Sequence, residues 1–221
     1  MEVDIWSDIV CPWCYLGKRR FEQALETFAQ RDDVRIEHRS FQLDPSKPRH
    51  QTSSRRTMLK AKYHLTDAQV QEMDTKMERM AAAEGLEYHL TDAGLTGNTL
   101  DAHQLVQLAK ARGIQDAVLD RLYRAYFTEQ RSVFDRESLV TVVAEAGLDP
   151  EEARQVLERD AYVDAVSADL SEARRLGVSG VPFFVIGGQL GVSGAQRTDV
   201  FSQALTRAWD ESTPGPAVAG P

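Results

Sequence analysis

Apolar residues at the start of the chain first alternate with polar ones and then recur at helical spacing. Val3 and Ile5 alternate with acidic residues, which predicts a short strand. Between Leu16 and Phe28 the apolar residues recur every three to five positions, as on one face of a helix. Val34–Leu43 is again rich in strand formers. The order strand, helix, strand predicts a βαβ unit.

The middle of the chain, residues 46–176, carries helical patterns with recognisable helix starts. Thr66 and Gln69 have the spacing of a capping box, in which each residue satisfies a backbone N–H near the first turn. Asp149 followed by Pro150 is typical of a helix cap with proline at the first helical position. We therefore predict that this segment is an inserted all-α domain.

A strand pattern returns near the end of the chain. Phe183–Ile186 is a continuous apolar run, and Gly187–Gly188 after it favours a hairpin turn. An amphipathic helix follows. We predict an α/β fold in which residues 1–45 and 177–212 form one discontinuous domain, followed by a flexible tail over residues 213–221.

Composition and charge exclude several classes of function. The 221 residues include 26 Lys and Arg against 34 Asp and Glu, a formal net charge of −8. That balance argues against nucleic-acid binding and against docking on anionic membranes. No apolar run approaches the roughly 20 residues that cross a bilayer. The first residues lack the pattern of a secretory signal, so we expect a cytoplasmic protein.

The candidate chemistry lies in the only two cysteines, Cys11 and Cys14. They stand where the first predicted strand meets the first predicted helix, and a helix N-terminus favours a thiolate. Cys11 is the expected nucleophile and Cys14 the resolving thiol one turn away. The chain has no second CxxC pair and no two histidines at metal-ligand spacing, so we expect no metal site.

Three segments together carry a resemblance to a known family. They are Ser7–Gly17, which contains Cys-Pro-Trp-Cys, then Asn98–His103, and finally Gly177–Phe184. The chain resembles the DsbA-like thioredoxin-fold superfamily and, within it, the FrnE-like thiol oxidoreductases. The resemblance covers nearly the whole chain. It implies a thioredoxin-like fold interrupted by an inserted helical domain.

The resemblance also implies a set of site residues. Pro182 joins the two cysteines as a catalytic residue, after a cis peptide bond opposite them, and Val181 would pair its backbone with an extended substrate. Val181, Trp13 and Tyr15 are predicted to bind substrate. The other predicted substrate-binding residues are Asn98 and His103. From the residues alone, Asn98 also fits a helix cap, and His103 fits either packing or proton transfer.

Two residue sets near the cysteines are harder to interpret from sequence. Lys18, Arg19 and Arg20 follow the motif, and we interpret them as a solvated helix face. Asp8 precedes Cys11 by three residues, and its charge would oppose a thiolate if the two were close. The sequence leaves the role of Asp8 open.

The function predicted from these features is thiol–disulfide oxidoreduction on protein or small-molecule thiols and disulfides. Many DsbA proteins have histidine where this chain has Trp13, so the resemblance implies a less oxidising site. No cofactor is expected, although glutathione is a candidate redox partner. One alternative is a glutathione-dependent transferase or isomerase of the kappa or 2-hydroxychromene-2-carboxylate isomerase type, acting on a small aromatic, polyketide-like substrate. Another is a binding module without catalysis.

Overall fold

The fold was analysed on a computed structural model, which describes residues 1–90 and 94–212. Within these residues the six strands are β1 (Glu2–Ser7), β2 (Arg35–Ser40), β3 (Thr52–Ser54), β4 (Leu95–Gly97), β5 (Phe183–Ile186) and β6 (Leu190–Ser193). The nine α-helices of the described part are α1 (Pro12–Glu26), α2 (Arg55–Tyr63), α3 (Asp67–Ala83), α4 (Leu100–Ala111), α5 (Gln115–Phe127), α6 (Arg136–Ala144), α7 (Pro150–Arg159), α8 (Val163–Arg175) and α9 (Thr198–Ser212). The predicted tail, 213–221, lies outside the described residues.

The main sheet joins the two ends of the chain. Its strand order is β2-β1-β5-β6, with β1 and β2 parallel and the other neighbours antiparallel. The predicted βαβ unit and the predicted hairpin are therefore both present. Gly187 and Gly188 supply the turn between β5 and β6 with φ values of +63° and +73°, which glycine adopts without strain.

Each face of the sheet packs against helices. On one face, Val3 and Ile5 lie in an apolar cluster with Phe21 of α1 and with Phe184 and Phe201, whose ring centroids are 4.6 Å apart. On the other face the Trp6 indole N–H donates to a carbonyl oxygen of α8 at 3.1 Å. The alternation predicted for the first strand thus holds at Val3 and Ile5.

The segment between the two parts of the sheet is mainly helical, and its predicted helix starts are confirmed. Thr66 and Gln69 form a capping box at α3, and the Asp149 carboxylate accepts from the Glu152 N–H at 2.7 Å at α7. The segment differs from the all-α prediction in one respect, because β3 and β4 form a small antiparallel sheet. Strands of three residues are too short to show a period-two pattern in sequence.

The thiol motif lies between the two packing units. Ile9, Cys11, Cys14 and Leu16 belong to the same buried cluster as the apolar residues of α4 to α7. Helix α1 therefore packs its first turn against the inserted helices and its later residues against the sheet. Among the described residues, no helix is both long and apolar enough to cross a membrane.

Candidate active site

Cys11 is the N-cap residue of α1. Its backbone is extended, with φ −91° and ψ 110°, and Pro12 follows at the first helical position. The missing N–H of proline is tolerated there because first-turn N–H groups have no partner within the helix. The thiol is 4% exposed and donates a hydrogen bond to the Val181 carbonyl oxygen at 3.5 Å. Cys11 therefore links the helix N-terminus to the loop before β5.

Cys14 lies behind Cys11, away from solvent. It is 1% exposed, and both cysteines are free thiols in the structure. Burial raises the pKa of Cys14 well above its ordinary value near 9.0, and its hydrogen bond with Cys11 and the charges of Cys11 and Asp8 raise it further. A thiol with such a pKa stays protonated near neutral pH. The two sulfurs thus differ in position and environment, as a nucleophile and a resolving thiol require.

The loop before β5 approaches the motif closely. The Val181–Pro182 peptide bond is cis, as the resemblance implies. A Cβ atom on Gly17 of α1 would lie 2.8 Å from Pro182 Cγ and 3.3 Å from the Ala195 Cα. Sequence analysis assigned Gly17 no role, although a glycine within a helical pattern is a signal that could have indicated a close approach.

Aromatic side chains cover one side of the motif. Tyr15 stacks on Tyr123 with centroids 4.8 Å apart, and Tyr88 stacks on Phe127 at the same separation. The Tyr88 hydroxyl donates to the carbonyl oxygen of Pro12 at 2.8 Å. Sequence analysis missed both Tyr88 and Tyr123, because each is remote in the chain from the cysteines it approaches.

Trp13 differs from these aromatic residues, since its side chain is 43% exposed. It stands between the two cysteines in sequence. An exposed indole beside a buried sulfur offers an apolar contact surface to an incoming molecule. That position suits the predicted substrate contact.

A buried carboxylate and imidazole lie next to the motif. Asp8 Oδ1 is 3.3 Å from His103 Nε2, and both side chains are almost fully buried. Asp8 Oδ2 accepts from the Leu43 N–H at 2.8 Å, and the Asp8 carbonyl accepts from the Cys11 N–H at 3.1 Å. Asp8 is therefore close to the thiols, and His103 contacts the site through Asp8.

Asn98, the remaining predicted substrate-binding residue, uses its side chain for hydrogen bonds within the protein. Its side-chain oxygen accepts from the Leu100 N–H at 2.9 Å and from the Gln42 amide at 3.1 Å. Its side-chain nitrogen donates to the Lys47 carbonyl oxygen at 2.7 Å. The N-cap residue of α4 is Thr99, so the cap interpretation is wrong by one residue, and the bond from the Leu100 N–H makes Asn98 an Asx turn just before the helix. The bonds to Gln42 and Lys47 also hold the 42–47 segment in place.

The interpretation of the basic residues of α1 as a solvated face is wrong for Lys18, which is 3% exposed. Its ammonium pairs with Glu22, with Asp116 at 3.0 Å and with Asp120 at 2.8 Å. Those carboxylates are close enough together to hold a cation, and the Lys18 ammonium lies against all three. The partners on α5 are remote in sequence, which is why the pattern of α1 alone did not indicate burial.

The sheet, the cis-proline loop and the CxxC motif at a helix start define a protein of the thioredoxin-like class with a helical insertion. The sequence matches the DSBA-like thioredoxin domain family over residues 2–206, and the chain belongs to that family. At the level of the family, this protein is a DsbA-like thiol oxidoreductase.

Individual relatives agree with the family assignment. A probable DsbA oxidoreductase from Streptomyces coelicolor is 51% identical with a TM-score of 0.93, and the match covers 99% of this chain and 94% of that one. YwbO from Bacillus subtilis is 28% identical over 208 residues, 93% of this chain and 96% of its own. The cytosolic disulfide reductase DsbM from Pseudomonas aeruginosa is similar in fold, with a TM-score of 0.64 and 19% identity over 96% of this chain and 100% of that one. A further DsbM structure is described as the complex with GSH.

Proposed function

We propose that this protein exchanges thiols and disulfides through Cys11 and Cys14. The observation that carries the proposal is the position of Cys11, at the start of α1 and bonded to the residue before a cis-proline. Cys14 lies behind it with a raised pKa. Both cysteines are buried, but Cys11 adjoins the cis-proline loop and Cys14 stays protonated.

The reaction proceeds in two exchange steps. The Cys11 thiolate attacks one sulfur of a substrate disulfide, the substrate S–S bond breaks, and the departing sulfur leaves as a thiolate that takes up a proton. Cys14 then loses its proton and attacks the Cys11 sulfur, which releases the second substrate thiol and forms the Cys11–Cys14 disulfide. Two electrons pass to the substrate, and two external thiols return the protein to the dithiol form.

Asp8 is the acceptor we propose for the proton of Cys14. Its carboxylate is buried and hydrogen-bonded to His103, and its charge raises the pKa of Cys14. A buried carboxylate next to a thiol disfavours the thiolate electrostatically, but it also offers a base within a region without bulk water. In the reverse reaction, in which the protein oxidises a dithiol, the same group returns the proton.

The proposed substrates are extended peptide segments and glutathione. The Val181 carbonyl oxygen accepts from the Cys11 thiol in the dithiol form. Once Cys11 is in a mixed disulfide it has no proton to donate, so that oxygen is free to accept a substrate N–H in strand-like pairing. Exposed Trp13 adds an apolar contact. The description of a DsbM complex with GSH supports the inclusion of glutathione.

We further propose a cytoplasmic location. The proposal is supported by the likeness in fold to a disulfide reductase described as cytosolic. The chain also has no cysteine besides the Cys11–Cys14 pair, so it carries none dedicated to a structural disulfide. In a reducing compartment the disulfide would be a transient state of the reaction.

The test is a titration of the protein in glutathione redox buffers, read by thiol alkylation and mass spectrometry. The expected result is a reversible two-electron transition that Cys11→Ser abolishes, whereas Cys14→Ser accumulates a mixed disulfide on Cys11. Absence of a Cys11–Cys14 disulfide at every ratio would overturn the proposal. Activity on a small aromatic substrate that needs glutathione and survives Cys14→Ser would indicate the transferase or isomerase alternative instead.

A further inference from the structure

Tyr88 reaches the thiol motif from the inserted segment. It belongs to residues 84–90, which follow α3, and its side chain is buried. Its hydroxyl donates to the carbonyl oxygen of Pro12 at 2.8 Å. Pro12 is the first residue of α1 and stands between the two cysteines. This bond is therefore a direct polar contact between the inserted segment and the backbone of the Cys-Pro-Trp-Cys turn.

The Pro12 carbonyl is electronically connected to the amide that follows it. The carbonyl oxygen of Pro12 and the N–H of Trp13 belong to one planar peptide group. A donor on the oxygen polarises that group and strengthens its N–H as a donor, since hydrogen bonds in series reinforce each other at low dielectric. The N–H groups of the first turn point toward the N-terminus of α1, and Cys11 is the N-cap residue there.

The surroundings of Tyr88 keep its hydroxyl in place. Its ring stacks on Phe127 at 4.8 Å and on Tyr15 at 5.8 Å. Nearby, the Glu84 carboxylate accepts from the Arg20 guanidinium of α1 at 2.7 Å. Burial raises the pKa of Tyr88 well above its ordinary value of 10.0, so the hydroxyl keeps its proton and remains a donor at any pH where the protein works.

We propose that Tyr88 is a positioning residue for the Cys11–Cys14 pair, which through the Pro12 carbonyl orients and polarises the first peptide groups of α1 toward the Cys11 thiolate. The inference rests on the proposed function, because it concerns the reactivity of that pair. Its consequence is that the inserted segment changes the reactivity of the thiols in addition to burying them. Loss of the hydroxyl leaves the thiolate less stabilised and the disulfide form relatively favoured.

The test compares two tyrosine-to-phenylalanine variants. Tyr88→Phe removes the hydroxyl and keeps the stacked ring. Tyr126→Phe is the matched control, because Tyr126 also packs on Phe127 and also donates to a backbone carbonyl, that of Leu95 at 2.6 Å, outside the thiol motif. For Tyr88→Phe alone we expect about a fivefold shift of the glutathione equilibrium toward the disulfide, and slower alkylation of Cys11 at pH 7 by a similar factor.

Three results would overturn the inference. Equal equilibrium constants for wild type and Tyr88→Phe would show that the bond does not act on the thiols. Equal shifts in both variants would assign the effect to the stability of the inserted segment, which thermal unfolding measures separately. If Tyr88→Phe does not fold, 4-aminophenylalanine at position 88 supplies a weaker donor, and an equilibrium constant identical to wild type would again exclude the role.

The wild-type titration separates the two proposals. If the wild-type protein forms no Cys11–Cys14 disulfide, the proposed function fails before any variant is compared. If the wild type titrates normally and the variants do not differ, only the role of Tyr88 fails. A shift confined to Tyr88→Phe supports both.

Discussion

The ammonium of Lys18 lies among three carboxylates and thereby joins α1 to α5. Burial alone lowers the pKa of Lys18, but the charges of Asp120, Asp116 and Glu22 outweigh burial and raise it. Without the ammonium, those carboxylates would repel one another close to the thiol-bearing helix. The pairing is therefore worth more than an exposed ion pair, whose contribution is about 0–1 kcal/mol.

We predict that Lys18→Met lowers the free energy of unfolding at pH 7 by about 1–3 kcal/mol. The loss should begin to shrink as the pH falls below about 4, where Glu22 takes up a proton, and it should disappear only at the lower pH at which Asp116 also protonates. Glu22 should protonate early, since burial raises its pKa, and Asp116 last, since the His38 hydrogen bond and the Lys18 charge outweigh burial and lower its pKa. Urea unfolding at pH 7 and pH 3.5 measures the difference.

The matched control for that experiment is Arg175→Met. Arg175 pairs with Glu172 on the exposed surface of α8, so its loss should change the free energy of unfolding by less than about 0.5 kcal/mol. A result in which the two variants are equally stable would contradict a structural role for the buried ammonium.

At the scale of elements, the start of α1 depends on how closely the loop before β5 can approach it. The atoms nearest to a hypothetical Gly17 Cβ are Pro182 Cγ at 2.8 Å and two Ala195 atoms at 3.3 Å. A real Cβ would push the helix and the cis-proline loop apart. The absence of a side chain at Gly17 therefore permits the close approach of Pro182 to α1.

We predict that Gly17→Ala destabilises the protein by about 1–3 kcal/mol, as overpacking commonly does, and slows disulfide exchange. The reason for slower exchange is that the added methyl group moves the Val181 backbone away from Cys11. Gly180→Ala is the control, since a Cβ there would meet nothing within 4 Å. Thermal unfolding and the rate of glutathione-disulfide reduction are the measurements, and equal behaviour of the two variants would count against the prediction.

Patterns predicted the strands β1 and β5 of the main sheet, because Val3 and Ile5 in one and Phe184 and Ile186 in the other are buried, and both strands are long enough to show an apolar pattern. The sequence also predicted the start of α1 at the thiol motif, since Cys11 occupies the N-cap position and Pro12 the first turn. The three-residue strand β3 gave no such signal.

Residue patterns did not predict partners that meet only in the folded chain, and the approach of Val181–Pro182 to the cysteines was implied by the family resemblance alone. Asp8 and His103 are 95 residues apart, and the tyrosine that bonds Pro12 is 76 residues from it. Neither separation corresponds to a helical or strand period. Such contacts depend on how the insertion packs on α1, which single-sequence periodicity does not encode.

At the scale of the whole molecule, burial of ionisable thiol and phenol groups couples global stability to pH. The inserted helices and the thioredoxin-like part together enclose Cys14. An unfolded chain releases the Cys14 proton near pH 9.0, whereas the folded protein retains it because the folded pKa is raised. The folded state then binds more protons than the unfolded state, so stability must fall as the pH rises past that value.

We predict that the Cys14 contribution lowers the free energy of unfolding of the reduced protein by up to about 1.4 kcal/mol per pH unit above pH 9. Cys14→Ala should lack this part of the slope while keeping the parts due to buried tyrosines, including Tyr123, whose pKa burial also raises. Urea unfolding with reductant at pH 8 and pH 10 measures both proteins. If the free energies of unfolding of the wild type and of Cys14→Ala depend on pH in the same way, the predicted contribution of Cys14 is refuted.

The pairing of β1 with β5 also fixes an order of events during protein synthesis. Cys11 and the Val181 carbonyl that it contacts are 170 residues apart. At about 5–20 residues per second, the ribosome makes the cysteine pair roughly 10–30 s before it makes the loop that adjoins the pair in the finished fold. During that interval the sulfurs have neither the proline nor the carbonyl beside them. A nascent chain therefore carries accessible thiols long before the protein can control their reactions.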